Sequence, residues 1–539
     1  MTLDGFLGFI ALFVAFYAIL PPVTRLRVQL HLKYQIPLAF LAILLVLYFE
    51  FFYVLGQPCY VNEPEICDLI SFKKGGNFTP QQAAFLVAFC WMLLAIVLNN
   101  ILKPGSNSIS AIGKITQELL LTQRFAELLH FMGPNLKLIE RTANRELSIQ
   151  KLHDWLANRN WFTRQNVQTL RTGQSEEAKD EKTRTLEAVY EKFRHSISWT
   201  SKLVPGQYKV QAEAESILRS LLQSNELRSF ITSMRPDILP DLMSIRLQSR
   251  FNFADKVMQD LISESSSRLY QEISNNENIN SDFGYAIAKQ NYLLSYLFSN
   301  IRTAERLAVW KPVGDYVINH IRAGSKTSYH ENLNDPPDNF EETCWKDCTF
   351  VAIRFFDIMV NEAIRQGLPY HMWLMYLQHF ADELVNCYTE SAPGFDKHSE
   401  FPTTSARLLY EIVHVLGNWV VASKHIEQDS PHTVKQNSDE TDLWIIPIGA
   451  ATTIGKVFLR VAKSDEISIH FVQYLHNCIL NDMSDLAQGS KIRAMLIDIL
   501  LSGGNSHPDA EYMEKLRFYF YNTDHVLRDQ LKDYAQRLK

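Results

Sequence analysis

The chain has little that marks a known chemistry. A phosphate-binding loop of the form G-x-x-x-x-G-K-[ST] is missing, as is a G-x-G-x-x-G turn, which excludes a P-loop ATPase or a Rossmann enzyme. A G-x-S-x-G nucleophile elbow is also missing. Basic excess is lacking: 53 Lys and Arg stand against 59 Asp and Glu, a net charge of −6. Nucleic-acid binding, which needs a basic face or stripe, is therefore not expected. No run of alternating polar and apolar residues reads as a strand, whereas nearly every long segment has the helical period. The expected fold class is all-α.

Metal ligands are sparse as well. Cys344-x-x-x-Cys348 would set two thiols at i and i+4 on one helix face, but a tetrahedral zinc site needs two further ligands, and no second close pair of cysteines exists. The pair reads as structural, with a metal site as the alternative. No cofactor is implied. Among catalytic groupings, His379, Asp382 and Glu383 fall at i, i+3 and i+4 on one helical face, a spacing suited to a proton relay. Such groups more often cap, pair or face water, so the chain reads as non-enzymatic.

Long apolar runs are confined to the first 102 residues, where there are three: 3–20, 36–55 and 83–102. A bilayer crossing takes roughly 20 apolar residues, so each is expected to span a membrane. The loop after the first run carries Arg25, Arg27 and Lys33 without an acid, while the second loop mixes Lys73 and Lys74 with Glu63, Glu65 and Asp68. Basic loops face the cytoplasm. The expectation is an integral protein of the bacterial inner membrane, N-terminus outside, in contact with the lipid bilayer, and with the C-terminal region cytoplasmic. Cys59 and Cys67 share the outer loop and are candidates for a disulfide. Glu50, Asn99 and Asn100 are the polar residues inside the spans. An acid there either snorkels or serves function, and amides there bond between helices or protomers.

The expected organisation is a transmembrane domain at 1–104, a juxtamembrane and first cytoplasmic helical domain at 105–323, and a second helical domain at 340–539. The polar stretch 324–339, with Pro336-Pro337, separates the last two. A juxtamembrane helix carries the stripe Ile112, Ile115, Leu119, Leu121, Phe125, Leu128 and Met132 and is expected to stop at Gly133-Pro134. The apolar segment Leu443 to Gly455 is too short to span and reads as a buried core helix.

Three functions fit this architecture. The first is a non-enzymatic membrane effector or regulator. Its helices would sense a partner or ligand and act through the transmembrane bundle, in one version as a bacterial stress or phage-defence effector. The second is a tethered scaffold that recruits a soluble protein partner, with self-association also expected. The third is a tethered enzyme of helical fold.

Overall fold

The computed structural model of the protein describes residues 26, 32–54, 80–101, 104, 108–144, 205–277, 287–324, 328–337, 339–368, 373–390, 395–426, 429–435, 444–505 and 507–539. Among these residues the regular structure is helical throughout, with no strand, as the periodicity implies. The chain divides into two compact units, Met1–Leu227 and Arg228–Lys539.

In the first unit, α1 (Leu32–Val54) packs against α2 (Pro80–Ile101). Their buried positions include Ala42, Val46 and Ala88, side chains small enough to let two backbones approach. Three more helices pack on one another: α3 (Ile109–Leu121), α4 (Phe125–Ala143) and α5 (Pro205–Gln223). Of the expected stripe, Ile112, Ile115, Leu119, Leu128 and Met132 are buried there, but Leu121 is 85 % exposed, the single expected helix is split between α3 and α4, and Gly133-Pro134 lies inside α4 instead of ending it. The Gln211 side chain closes the end of α4 by donating to the Ala143 carbonyl at 3.0 Å.

The membrane expectation is overturned. No helix among the described residues is long and apolar enough to cross a membrane. The first expected span, 3–20, lies outside those residues. The second and third fall on α1 and α2, where polar residues cut the apolar runs short. In α1 the run extends from Ile36 to Phe49, closed by Gln35 and Glu50 and bearing Pro37 near its start. That is about 21 Å of helix at the usual rise. In α2 it extends from Ala83 to Leu98, between Gln82 and Asn99, or about 24 Å. A hydrocarbon core is about 30 Å thick. The transmembrane domain, the lipid bilayer as partner and the inner-membrane location with its outside N-terminus all required spanning helices. So did the membrane effector, including its phage-defence version, and the tethered scaffold and tethered enzyme. All are withdrawn with the spans.

The second unit is built on two central helices, α13 (Thr404–Val421) and α14 (Ile446–Ala462), which pack on each other. Around them lie α11 (Cys348–Arg365), α12 (Leu374–Cys387), α15 (Ile469–Asp485) and α16 (Lys491–Ser502). The apolar segment 443–455 supplies the first half of α14. Its Ile446, Ile448, Ala450, Ala451 and Ile454 are at most 1 % exposed, so it is core. At the N-terminal end of this unit lie α6 (Ser249–Ser263), α7 (Arg268–Glu277), α8 (Tyr292–Phe298), α9 (Trp310–Gly324) and α10 (Ser328–Asn334). The C-terminus folds into α17 (Ala510–Tyr521) and α18 (Lys532–Leu538).

Local chemistry starts and stops these helices. Asp347, Thr403, Ser468 and Asp509 each accept a backbone N–H two or three residues on, at the starts of α11, α13, α15 and α17. Each such cap is worth about 1 kcal/mol. The fully buried Glu272 of α7 does this from a distance, accepting the N–H groups of Leu293 and Leu294 at 3.3 and 2.9 Å while pairing with Arg268 at 2.7 Å. Gly503, at φ +63°, ends α16 in the left-handed conformation that only glycine adopts without strain.

Helix contact also depends on Gly314 in α9. A Cβ there would lie 2.2 Å from the Tyr376 ring. That ring is held: its hydroxyl donates to Asp315 at 2.8 Å and its face stacks on Phe356 at 5.7 Å. Gly314→Ala gains up to about 1 kcal/mol of helix propensity. The clash, with a ring that has nowhere to go, costs about 1–3 kcal/mol. The expected net effect is a loss of about 1–2 kcal/mol, read as a lower denaturant midpoint.

Candidate binding cleft

A cavity of about 640 Å³ opens in the second unit between the end of α6, the faces of α7, α9 and α10, and the start of α11. The segment before α11 shapes it. Phe340 to Thr343 form one helical turn, Cys344 to Lys346 a 3-10 turn, and the chain then extends at Asp347 before α11 begins. This break corrects the expectation that Cys344 and Cys348 share a helix face. Both line the cavity, but from different elements.

Asp347 is the chemical centre. One carboxylate oxygen accepts the Phe350 N–H at 2.8 Å, which is the helix cap. The other accepts the Tyr329 hydroxyl at 2.9 Å, and Tyr329 in turn meets the Thr349 hydroxyl at 2.9 Å. Burial raises the Asp347 carboxyl above the usual carboxylate range, although these hydrogen bonds oppose the shift. Its neighbour His320, which would compensate the charge if protonated, is itself pushed toward the neutral form by burial. The His320 ring lies 4.3 Å from Tyr329 and stacks on Tyr316 at 5.6 Å and 14°. Burial, then the Asp347 charge, pushes the Cys348 thiol far up. A thiol so held stays protonated and is a poor nucleophile.

The rim adds Glu264, whose carboxylate accepts the Ser266 hydroxyl at 2.8 Å, together with Asp335 and Lys346. Carboxylates therefore outnumber cations around the cavity, and no arginine lines it. The walls are aromatic: Tyr270, Tyr316, Tyr329 and Phe340. Such a cleft suits a positively charged group, which gains from both carboxylates and ring faces.

The residues singled out from sequence lie elsewhere. His379 is exposed on α12. Glu383 accepts from Arg322 of α9 at 2.7 Å. Asp382 is half-buried and its carboxyl is raised by burial, opposed by His379 and Arg460. None of the three lines the cavity. Neither Cys344 nor Cys348 forms a disulfide. Among the described residues no three His, Cys, Asp or Glu side chains converge so as to hold a metal ion. Glu50 belongs to α1, and Asn99 and Asn100 to α2, but their side chains lie outside the described residues, as do Cys59 and Cys67 entirely.

Sequence reasoning missed Asp347, Tyr329, His320, Tyr316 and Glu264. Two local signals exist for them: an aspartate immediately before the apolar run from Phe350, which marks an N-cap, and the i, i+4 pair Tyr316 and His320 on one helix face. Neither reveals a cavity, because its walls come from five separate elements. No family model, curated protein or solved structure matches this chain, so the functional reading rests on the cleft itself.

Proposed function

We propose that the protein is a binding protein whose second unit holds a small cationic ligand in this cleft, acting by binding rather than by catalysis. The observation that carries the reading is Asp347, a carboxylate deep in an aromatic-walled cavity, accepting only neutral donors and raised by burial. A ligand cation would relieve that desolvation and make a charge-assisted hydrogen bond. The protonated Cys348 thiol and the neutral His320 ring support binding over nucleophilic chemistry.

The test is the rise in melting temperature of the full chain on adding alkylammonium salts, with tetraalkylammonium and carboxylate salts as controls. Primary amines are expected to stabilise, and Asp347→Asn to weaken their binding about tenfold. Because the Asp347 carboxyl titrates above its ordinary range, binding should weaken on acidification earlier than an ordinary aspartate would allow. Absence of any amine-specific stabilisation, or turnover of a bound amine, would overturn the reading.

A further inference from the structure

We infer that the ligand is an aliphatic diamine or polyamine that lies across two cavities, an inference that rests on the cationic reading of the cleft. A second cavity, of about 430 Å³, lies between α6 and α9 and shares Tyr316 and His320 with the first. One face of α9 is therefore the wall common to both, and it is a flat one, since the two rings stack. A methylene chain packs well along stacked rings, and an ammonium at their edge gains from the ring faces.

The second cavity carries its own acceptors. Lys311 pairs with Asp315 at 2.5 Å, and the Tyr376 hydroxyl occupies the other Asp315 oxygen at 2.8 Å, so that charge is already matched. Asp255 remains, with the side-chain carbonyls of Gln259 and Asn319 beside it in the lining. Among the described residues Asp255 forms no salt bridge, although Lys311 of the same lining lies near enough to feel its charge. The two cavities thus offer Asp347 and Asp255 on either side of one aromatic ridge, a pattern for two ammonium groups joined by a hydrocarbon linker. A peptide fits less well. The walls are helices with their backbone groups already bonded, which leaves no strand edge for an extended chain. Both volumes fall in the range of small-molecule sites.

Calorimetric titration of the full chain with 1,4-diaminobutane, spermidine and butylamine separates the possibilities. The diamine and the triamine are expected to bind about tenfold or more tightly than butylamine, one extra charge-assisted contact's worth. In Asp255→Asn the ratio of diaminobutane to butylamine affinity should fall from about ten toward one. Gln259→Ala, at an exposed position, should lower it about threefold and serves as the second probe should the first variant fold poorly. Equal affinities for the diamine and butylamine in the unaltered protein, or a ratio that survives both substitutions, would sink the two-cavity inference while leaving the cationic cleft standing. Failure of all three amines to bind would remove both.

Discussion

Arg493→Ala is expected to destabilise the second unit by about 3 kcal/mol, measured as a fall in the urea midpoint followed by circular dichroism. Arg493 stands in the first turn of α16 and is 2 % exposed. Its guanidinium grips Asp533 with two bonds of 2.7 Å. It also donates to the carbonyls of Leu486 at 3.1 Å, Met483 at 3.5 Å and Gln530 at 2.9 Å. The first two belong to the end of α15, where helix carbonyls have no partner within the helix. One side chain thus closes α15 and ties α18 to it. Breaking a buried ion pair costs about 3–5 kcal/mol when the survivor stays buried. Asp533 is 38 % exposed and can rehydrate, which favours the lower figure. Arg493→Met separates the contributions, since it keeps the packed stem and removes the donors. It should recover about a third of the loss. Arg493→Lys keeps the charge but not the fork and should recover about half. A midpoint for the alanine variant within about 0.5 kcal/mol of the parent would show that the carbonyls are satisfied by other means.

A second large effect depends on pH. Asp482 of α15 projects against Gly417 of α13, where a Cβ would lie 2.0 Å from its carboxylate oxygen. Glycine is needed at 417 for that side chain to enter the helix contact at all. Burial, reinforced by the Asp485 charge, pushes the Asp482 carboxyl up to about 7. The thiol of Cys478, one turn away, is pushed up to about 11 by its own burial and by Asp482. On α13, His414 is driven toward neutrality by burial and its ring shares a hydrogen bond with Asn418 at 3.2 Å, while Tyr410 is raised by burial. Between about pH 4 and pH 7 the folded state holds a proton at Asp482 that the unfolded chain has released. Stability is therefore greatest below the ordinary aspartate range and falls as pH rises through about 7. The loss is at most roughly 4 kcal/mol, from about 1.4 kcal/mol per unit. Asp482→Asn, which cannot ionise, should raise the melting temperature modestly at pH 5 and considerably more at pH 8. An equal effect at both pH values would mean that Asp482 is charged throughout this range.

The helices themselves were legible. Period placed most of them but not all of their bounds, since α10 (Ser328–Asn334) lies inside the polar stretch 324–339 and Gly133-Pro134 lies inside α4. Cys344 and Cys348 mark a limit of that reading. Helical spacing alone puts them on one face, but the aspartate between them caps a new helix, because Asp347 binds the Phe350 N–H more favourably than it continues a turn. Apolar length misled in the same way. The runs at 36–55 and 83–102 look long enough to span until Glu50 and Asn99 are allowed to end them, and hydrophobicity that can serve a bilayer can equally serve a helix pair such as α1 and α2.

By itself the sequence determined the all-α class, the helix starts near Thr403, Ser468 and Asp509, the stop at Gly503, and the burial of the apolar segment that begins α14, since each depends on neighbours within a few positions. Tertiary structure alone decided that Arg493 meets Asp533, that Asp482 faces Gly417, and that Glu264, His320, Tyr329 and Asp347 surround one cavity. These pairings join residues tens of positions apart. Their charge states follow from desolvation, a property of the packed interior that no local spacing encodes.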